Sequence, residues 1–332
     1  MKSLLKKLVS ANSPSGFEGN VRDVIIEEIK NYVDEYHVDT LGNLIARKGL
    51  KGTNGKRVML SAHMDEIGII VTHVDEKGFA RFTNLGYVLP RNALGGRVRF
   101  LNGSTGVVWM EPGENIRTLP PLNKLYIDLG VDSQKDCPVE IGDVGAFERV
   151  FEDMGDRVVS KALDDRIGVA VLIEIIKKLK ASPNEINAVF TTQEEVRLVG
   201  AIGAAYNINP DMGIAIDVTD TGDTPNAKRM DVSLGNGPAI KIKDGGMISD
   251  PKIVNWMVAG AKTAKIPYQK EILLGGTTDA MAIQLARSGV PVGAVSIPGR
   301  YIHSPSEMVD INDAKNSVKL LVALLSKTIK LK

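Results

Sequence analysis

The sequence has only one cysteine, Cys137, among its 332 residues. A single cysteine excludes a framework of disulfides within the chain and fits a reducing compartment, so we expect a cytoplasmic protein. The sequence also lacks an uninterrupted apolar run of about 18 residues, the length that a membrane-spanning helix needs. We therefore expect no membrane partner.

Neither sign of charge is in clear excess. Lysine and arginine number 41 against 40 aspartates and glutamates, and the formal net charge is +1. Since nucleic-acid-binding proteins normally show a basic excess or stripe, we expect no nucleic-acid partner. Apolar residues make up 43% and charged residues 24%, which is the balance of a globular protein with a sizeable core.

The N-terminal stretch MKSLLKKLVS superficially resembles a signal peptide. Lys6 and Lys7 interrupt its apolar run, however, and the remaining apolar residues fall at helical spacing. We therefore expect the first helix of the fold here. A second amphipathic helix is predicted over roughly 19–33, where apolar residues again recur at this spacing.

The predicted secondary structure changes in character twice along the chain. Between about 67 and 158, short β-type runs are broken by Lys-Gly, Asn-Gly and proline turn signals, without a helical period. Because a segment of this length cannot be one loop, we predict a small all-β domain inserted at 67–158. The flanking parts, 1–66 and 159–332, alternate helices with strands, which predicts one α/β domain with a mixed sheet covered on both faces.

Two of the four histidines, His63 and His303, follow predicted strands. Asp65 comes two residues after His63, on the same side of an extended chain, where its carboxylate could fix the tautomer of the imidazole. Carboxylates commonly support metal-bound histidines in this way. A strand-end histidine beside a solvated aspartate is the simpler alternative.

Acidic residues stand at three further strand ends or helix starts. Asp164 and Asp165 precede a predicted helix, where an aspartate can be an N-cap or can bridge two cations. Glu194 and Glu195 follow a predicted strand, and Asp217 ends another. Carboxylates at the C-terminal ends of buried strands lie where ligands bind in open α/β sheets, although a single one would be an ordinary loop acid.

Imidazoles and carboxylates together form a donor set that suits zinc, cobalt or manganese. The candidates are His63, Asp164, Glu194, Glu195, Asp217 and His303. Their spacing is not diagnostic, so the residues alone leave a two-metal hydrolase as one hypothesis among several. Arg300 and Glu307, close to His303, are equally consistent with surface charges.

Six short motifs occur in order along the chain. They are SAHMDEIG (61–68), KALDDRIG (161–168), TTQEEV (191–196), AIDVT (215–219), GGTTDA (275–280) and PGRYIHSPSE (298–307). As a set they resemble the tetrahedral (TET) aminopeptidases, dinuclear metallo-aminopeptidases also called glutamyl or leucyl aminopeptidase and often endoglucanase. Two positions depart from the usual motifs: Arg197 replaces a frequent glycine, and Gly299 replaces a frequent cysteine. These departures concern the shape of the pocket rather than its chemistry.

The resemblance implies two divalent metal ions per subunit, Zn²⁺, Co²⁺ or Mn²⁺. Asp164 would bridge both ions. His63 and Asp217 would complete one site. Glu195 and His303 would complete the other.

The resemblance also assigns residues beside the metals. Glu194 would be the general base for a hydroxide that bridges the ions, and Asp65 would support the preceding histidine ligand. Alternation along an extended chain would turn Glu195 toward the metal and Glu194 toward the water. Thr278 and Asp279 in GGTTDA are predicted to line the substrate cleft, although a loop leading into a helix is the alternative.

The implied fold is an aminopeptidase-type α/β catalytic domain interrupted by a PDZ-like β dimerisation domain. Dimers would assemble into a tetrahedral dodecamer whose sites face an inner chamber, so the substrates would be short peptides. An endoglucanase is one alternative, but two tryptophans form a meagre platform for a glucan and the histidines stay unexplained. A non-catalytic assembly module is the other, although no ligand or base position has been lost.

Overall fold

The computed structural model describes residues 1–49, 52, 54–113, 118–227 and 229–331, which form one large sheet with helices and one small barrel. The helices are α1 Lys2–Ser10, α2 Gly19–Ile29, α3 Pro90–Ala93, α4 Leu163–Lys178, α5 Val199–Ile208, α6 Pro251–Ala264, α7 Asp279–Gln284 and α8 Ile311–Leu325. The strands up to the end of the barrel are β1 Glu35–Val38, β2 Leu44–Lys48, β3 Arg57–His63, β4 Gly68–Val74, β5 Ala80–Leu85, β6 Arg97–Phe100, β7 Thr105–Met110, β8 Leu125–Asp128 and β9 Val144–Glu148. The later strands are β10 Glu152–Met154, β11 Arg157–Ser160, β12 Glu185–Thr191, β13 Met212–Thr219, β14 Ala239–Lys243, β15 Gln269–Ile272, β16 Val292–Arg300 and β17 Glu307–Asp310.

Four parallel strands form the centre of the large sheet, in the order β12, β3, β13, β16. Antiparallel strands extend this centre with β2 and β1 on one side and with β17, β11 and β10 on the other. Strand β14 also pairs with β16, and β15 pairs with β14. Since the four central strands run the same way, their carboxyl ends meet at one edge of the sheet.

Alternate residues of β3 show how two helical layers cover the sheet. Val58 and Leu60 belong to the larger apolar cluster, which also contains residues of α1, α2, α4, α6 and α8. Met59 belongs to a second cluster with residues of α5 and α7. Because successive side chains of a strand point to opposite faces, a central strand covered on both faces is buried along its length and mostly apolar. All eight residues of β13 are buried accordingly.

A closed antiparallel barrel forms in the order β4, β5, β8, β7, β6, β9 around an apolar core of its own. The barrel is narrow: a Cβ added to Gly106 would lie 2.3 Å from Ile127 Cγ2, so only glycine fits there. The predicted fold class, an α/β fold with an inserted small β-barrel, is confirmed.

The barrel strands run from Gly68 to Glu148, inside the segment predicted as the insert. Strand β10 and the start of β11 also fall inside 67–158, but they pair at the edge of the large sheet. The division into 1–66 with 159–332 and an insert at 67–158 stays a prediction. None of the helices in the described ranges is both long and apolar enough to cross a membrane.

Candidate metal centre

The carboxyl edge of the central strands gathers the residues that the sequence singled out. Strand β3 ends on His63, β13 carries Asp217 close to its end, and His303 follows β16 after a short turn. Glu195 lies in the loop after β12, and Asp164 lies at the start of α4. All five side chains lie in the same small region between the sheet edge and α4.

Asp164 lies between two imidazole rings. Its Oδ1 is 2.9 Å from His63 Nε2, and its Oδ2 is 3.2 Å from His303 Nε2. The carboxylate thus presents one oxygen to each ring, and its side chain is only 8% exposed. This is the arrangement that a carboxylate needs in order to be shared by two cations.

Each imidazole also faces a second carboxylate. Asp217 Oδ1 is 3.8 Å from His63 Nε2, and Glu195 Oε1 is 3.1 Å from His303 Nε2. The ligand atoms of His63, Asp164 and Asp217 all lie within 4.8 Å of one another, as do those of Asp164, Glu195 and His303. The two groups share Asp164.

The buried oxygen of Glu195 tests whether these residues fit metal ions. Oε1 has no hydrogen-bond partner among the described residues, because its contact with His303 lacks hydrogen-bond geometry. A buried carboxylate oxygen left in this way is costly unless a positive group, such as a protonated imidazole or a metal ion, lies against it. With imidazole nitrogens beside it, the donor set fits two divalent ions of the zinc type.

Adjacent aspartates at the start of α4 have separate roles. Asp165 Oδ1 accepts from Gly168 N at 3.0 Å, as an N-cap residue does, and its Oδ2 accepts from His63 N at 3.3 Å. Gly168 leaves room for this contact, since an added Cβ would lie 2.3 Å from the carboxylate. Asp164 and Asp165 both have non-helical backbone angles, and the peptide bond between them is cis. Asp165 thus contacts the first turn of the helix, whereas Asp164 faces the rings.

The loop that carries Glu194 and Glu195 is not extended. Strand β12 ends at Thr191, Gln193 has a φ of 53°, and the two glutamates lie in a bend and a turn. The expectation that strand alternation separates them is therefore wrong. Asp65 holds the turn instead, because Oδ1 accepts from Glu194 N at 3.0 Å and Oδ2 accepts from Glu195 N at 3.2 Å.

Asp65 makes a weaker contact with His63 than the sequence predicted. The ring Nδ1 is 3.1 Å from the backbone carbonyl of Asp65 and 3.5 Å from its Oδ1. The carboxylate also accepts a hydrogen bond of 2.6 Å from Ser15 Oγ. Its principal contacts therefore position the loop of Glu194 and Glu195.

The pattern of the M42 glutamyl aminopeptidase family matches residues 42–320. The chain belongs to this family. A candidate aminopeptidase of Acetivibrio thermocellus is 50% identical over 325 residues, which cover 97% of each protein. An aminopeptidase structure from Desulfurococcus kamchatkensis has a TM-score of 0.94 at 39% identity and covers 98% of this chain and 94% of that one.

The Pyrococcus horikoshii TET1 peptidase, which assembles into a tetrahedron or an octahedral shell, has a TM-score of 0.87 at 33% identity, with coverage of 97% and 98%. The resemblance to TET aminopeptidases is thereby confirmed. A Thermotoga maritima protein described as an endoglucanase has a TM-score of 0.82 at 34% identity, with coverage of 97% and 96%. Both descriptions therefore occur among relatives with this fold.

Carboxylates control the charge of both imidazoles in this M42 family member. Burial disfavours the imidazolium, yet Asp164 and Asp65 raise the pKa of His63 well above its ordinary value. Glu195 and Asp164 raise the pKa of His303 to about 12, also against burial. In return, the two imidazoles hold the pKa of Asp164 below its ordinary value. Protons and metal ions therefore compete for the same donor atoms.

Glu194 belongs to neither group of candidate ligands. Burial raises its pKa well above the ordinary value, and the charges of Asp217, Asp279 and Glu195 add to this effect, whereas His63 opposes it. A carboxylate with a raised pKa is better suited to accept a proton near neutral pH.

Thr278 and Asp279 lie beneath the site and have little exposed surface. Both are buried, at 2% and 3% exposure. Thr278 caps α7 by accepting from Ala280 N, and Asp279 Oδ2 accepts from Thr191 Oγ1 at 2.6 Å. These contacts support the end of β12, and a direct role in the substrate cleft stays a prediction.

The barrel supplies contacts that the sequence did not reveal. Asn92 Nδ2 donates to the carbonyl of His303 at 2.9 Å, and the ring of Tyr87 lies 5.9 Å from that of His303. A Cβ on Gly86 would lie 3.0 Å from Glu195 Cβ. No motif near 86–92 marks these residues, because their partners lie far away in the sequence.

Neither Arg300 nor Glu307 is a free surface charge. Arg300 donates from Nε and Nη2 to Asp223, at 2.9 and 2.7 Å. Glu307 is 2% exposed and contacts the backbone of the metal centre. The possibility that these two residues are only solvated charges is therefore wrong.

Proposed function

We propose that this member of the M42 family is a metal-dependent aminopeptidase that removes N-terminal residues from short peptides, with Glu194 as general base. One observation carries the proposal: the Asp164 carboxylate presents one oxygen to His63 and the other to His303. Each imidazole has a second buried carboxylate beside it. This is a ligand set for two adjacent cations.

Five residues would hold the metal ions. Asp164 would be shared by both. His63 and Asp217 would hold one ion, and Glu195 and His303 would hold the other. Two divalent ions, for which we propose Zn²⁺ or Co²⁺ with Mn²⁺ as a third candidate, lower the pKa of water and polarise a peptide carbonyl.

Glu194 would accept the proton of the attacking water at its carboxylate and then deliver it to the leaving amine. Its carboxylate is free to do so because it belongs to neither ligand group. The hydrogen bond from Glu194 N to Asp65 fixes the backbone of this residue relative to Glu195. Asp65 would therefore position the base and one ligand together.

We also propose that the chain forms homo-oligomers in the cytoplasm, with dimers assembling into a dodecamer. The assembly of the similar Pyrococcus horikoshii TET1 peptidase supports this. The barrel, for which we propose a PDZ-like dimerisation role, carries exposed apolar side chains on its outer surface, among them Leu101, Val107 and Trp109. Exposed apolar patches commonly mark protein–protein contacts.

An endoglucanase is the second candidate, and it is favoured by the descriptions of some similar structures alone, among them the Thermotoga maritima protein. Two carboxylates can hydrolyse a glycoside without metal. The site argues against this, since each imidazole is directed at the shared carboxylate Asp164.

A panel of aminoacyl-anilides and short peptides tests the proposal. The protein is treated with a chelator, dialysed, and refilled separately with Zn²⁺, Co²⁺ or Mn²⁺. We expect chelation to abolish cleavage, metal to restore it, and N-acetylated peptides to resist cleavage. Chelator-resistant hydrolysis of cellulose, or metal-loaded protein that cleaves no free N-terminus, would overturn the proposal. The panel also ranks the preferred N-terminal residue.

A further inference from the structure

Glu307 joins the two backbone segments that carry Asp164 and His303. Its Oε1 accepts from His303 N and its Oε2 accepts from Asp164 N, both at 3.0 Å. It is the first residue of β17 and pairs in register with Ser160 of β11, so the sheet fixes its backbone. It belongs to neither group of candidate ligands.

The segments on either side of this carboxylate have strained backbones. His303 has a φ of 59°, and Tyr301 has a φ of 62°. On the other segment, Ala162 has a φ of 56°. Such conformations persist only where the surroundings hold them in place. The bonds to Glu307 are contacts of this kind.

We propose that Glu307 is a positioning residue that sets the separation of Asp164 and His303 by binding both of their backbone amides. The inference rests on the proposed function, since it assigns Glu307 to the group Asp164–Glu195–His303. A carboxylate suits the task because both oxygens accept, and hydrogen bonds to a charged acceptor are the stronger kind.

Two substitutions at Glu307 test separately whether the charge and the length of its side chain are needed. Glu307→Gln offers one acceptor oxygen and turns an NH₂ donor toward the other backbone N–H, so one segment loses its tether. Glu307→Asp keeps the charge but is one methylene shorter and cannot reach both amides. Both substitutions leave every candidate ligand in place.

Asp313 offers a matched control elsewhere in the fold. It is fully buried in α8, its Oδ1 accepts from Gly237 N, and its Oδ2 accepts from Gly235 N, both at 2.7 Å. One carboxylate thus holds two backbone amides, as Glu307 does, but among residues outside both ligand groups. Asp313→Asn reports the effect of losing such a contact where no metal is expected.

The test compares Glu307→Gln, Glu307→Asp and Asp313→Asn with the unsubstituted full chain. Thermal unfolding is followed in the metal-free proteins, and binding of Co²⁺ is measured by titration with elemental analysis. We expect all three variants to be less stable. Only the Glu307 variants should bind Co²⁺ more weakly, by about 10–100-fold, the usual effect of removing support behind a metal ligand. When the anilide concentration is varied, kcat should fall while KM changes little.

Two results would overturn the inference: both Glu307 variants bind two Co²⁺ ions as the unsubstituted chain does, or Asp313→Asn loses Co²⁺ equally. If Glu307→Gln does not fold, Glu307→Asp alone decides between these outcomes. Failure of the proposed function is distinguishable, because the unsubstituted chain would then bind no Co²⁺ or cleave no anilide.

Discussion

Asn92 of the inserted barrel donates a hydrogen bond from Nδ2 to the backbone carbonyl of His303, over 2.9 Å. Asn92 lies in α3, a single turn that Pro90 begins, and His303 follows the last central strand. Tyr87, from the same segment of the barrel, places its ring beside that of His303. The barrel therefore forms part of the wall of the candidate metal centre, in addition to any role in assembly.

Asn92→Ala should remove the hydrogen bond to the backbone carbonyl of His303 without removing a candidate ligand. We expect the free energy of unfolding to fall by about 1 kcal/mol, the usual contribution of a hydrogen bond. The affinity for Co²⁺ should fall by up to about tenfold. Asn102→Ala is the control, since Asn102 Nδ2 donates to the carbonyl of Pro138 at 2.8 Å elsewhere on the barrel. Equal Co²⁺ affinity in the two variants would contradict a role for Asn92 at the metal centre.

Glu194→Gln should separate metal binding from turnover. Because Glu194 belongs to neither ligand group, the metal content should be unchanged. Turnover of an aminoacyl-anilide should fall by about 10²–10⁴-fold, the range for loss of a general acid–base group. His303→Ala provides the contrast, since it should reduce the metal content measured by elemental analysis. A Glu194→Gln protein that retains nearly full turnover would refute the assignment of the base.

The sequence predicted the ligand candidates because they stand where strands end. His63, Asp217 and His303 could be placed at one sheet edge from strand patterns alone, and the ordered motifs assigned their roles. Local rules also allowed one of the two adjacent aspartates to be an N-cap, and Asp165 is the one that accepts from a backbone N–H of the helix. What local patterns could establish was the position of each residue along its own element.

Contacts between distant segments could not be predicted in this way. The backbone bond from Asp164 to Glu307 and the bond from Asn92 to His303 each join parts of the chain that only the tertiary fold brings together. The turn at Gln193 was also missed, because the positive φ there depends on surrounding contacts rather than on residue type. Strand alternation was consequently the wrong reason for separating the two glutamates.

Metal binding should release protons. Neighbouring carboxylates raise the pKa of His63 and raise that of His303 to about 12, so both imidazoles of the metal-free chain hold a proton more tightly than a free imidazole does. A metal ion must displace the protons that its ligands hold, so affinity should rise with pH, and loading at pH 7 should release protons. Calorimetric titration in buffers of different ionisation enthalpy counts them. His303→Ala should release fewer, and uptake of metal without proton release would contradict the prediction.

The ion pair of Asp223 with Arg300 should stabilise the loop after β13 in a pH-dependent way. Burial opposes ionisation of Asp223, but hydrogen bonds from Arg300 and Thr221 hold its pKa below the ordinary value. The stabilisation is therefore complete above the unfolded pKa of about 3.9 and is lost as the pH falls toward the folded pKa.

Asp223→Asn should consequently be less stable than the unsubstituted chain by about 2 kcal/mol at pH 7, as expected for charge-assisted hydrogen bonds. The difference should shrink below about pH 4. Denaturant unfolding at a series of pH values from 7 downward measures this difference in stability. Asp153→Asn, which removes the exposed partner of Lys2, should show a smaller difference at pH 7. A difference for Asp223→Asn that does not change with pH would exclude ionisation as its cause.

Arg197 has a φ of 79°, a left-handed conformation that glycine adopts without strain. The structure thus explains why a glycine suits this position, two residues after Glu195. Arg197→Gly should stabilise the chain by about 1 kcal/mol, the relief of strain less the added freedom of the unfolded glycine. Lys265→Gly, at a φ of 53° after α6, should give a similar gain remote from the site. Thermal unfolding of the metal-free proteins measures both. If Lys265→Gly is more stable and Arg197→Gly is not, the prediction that glycine relieves strain at Arg197 is contradicted.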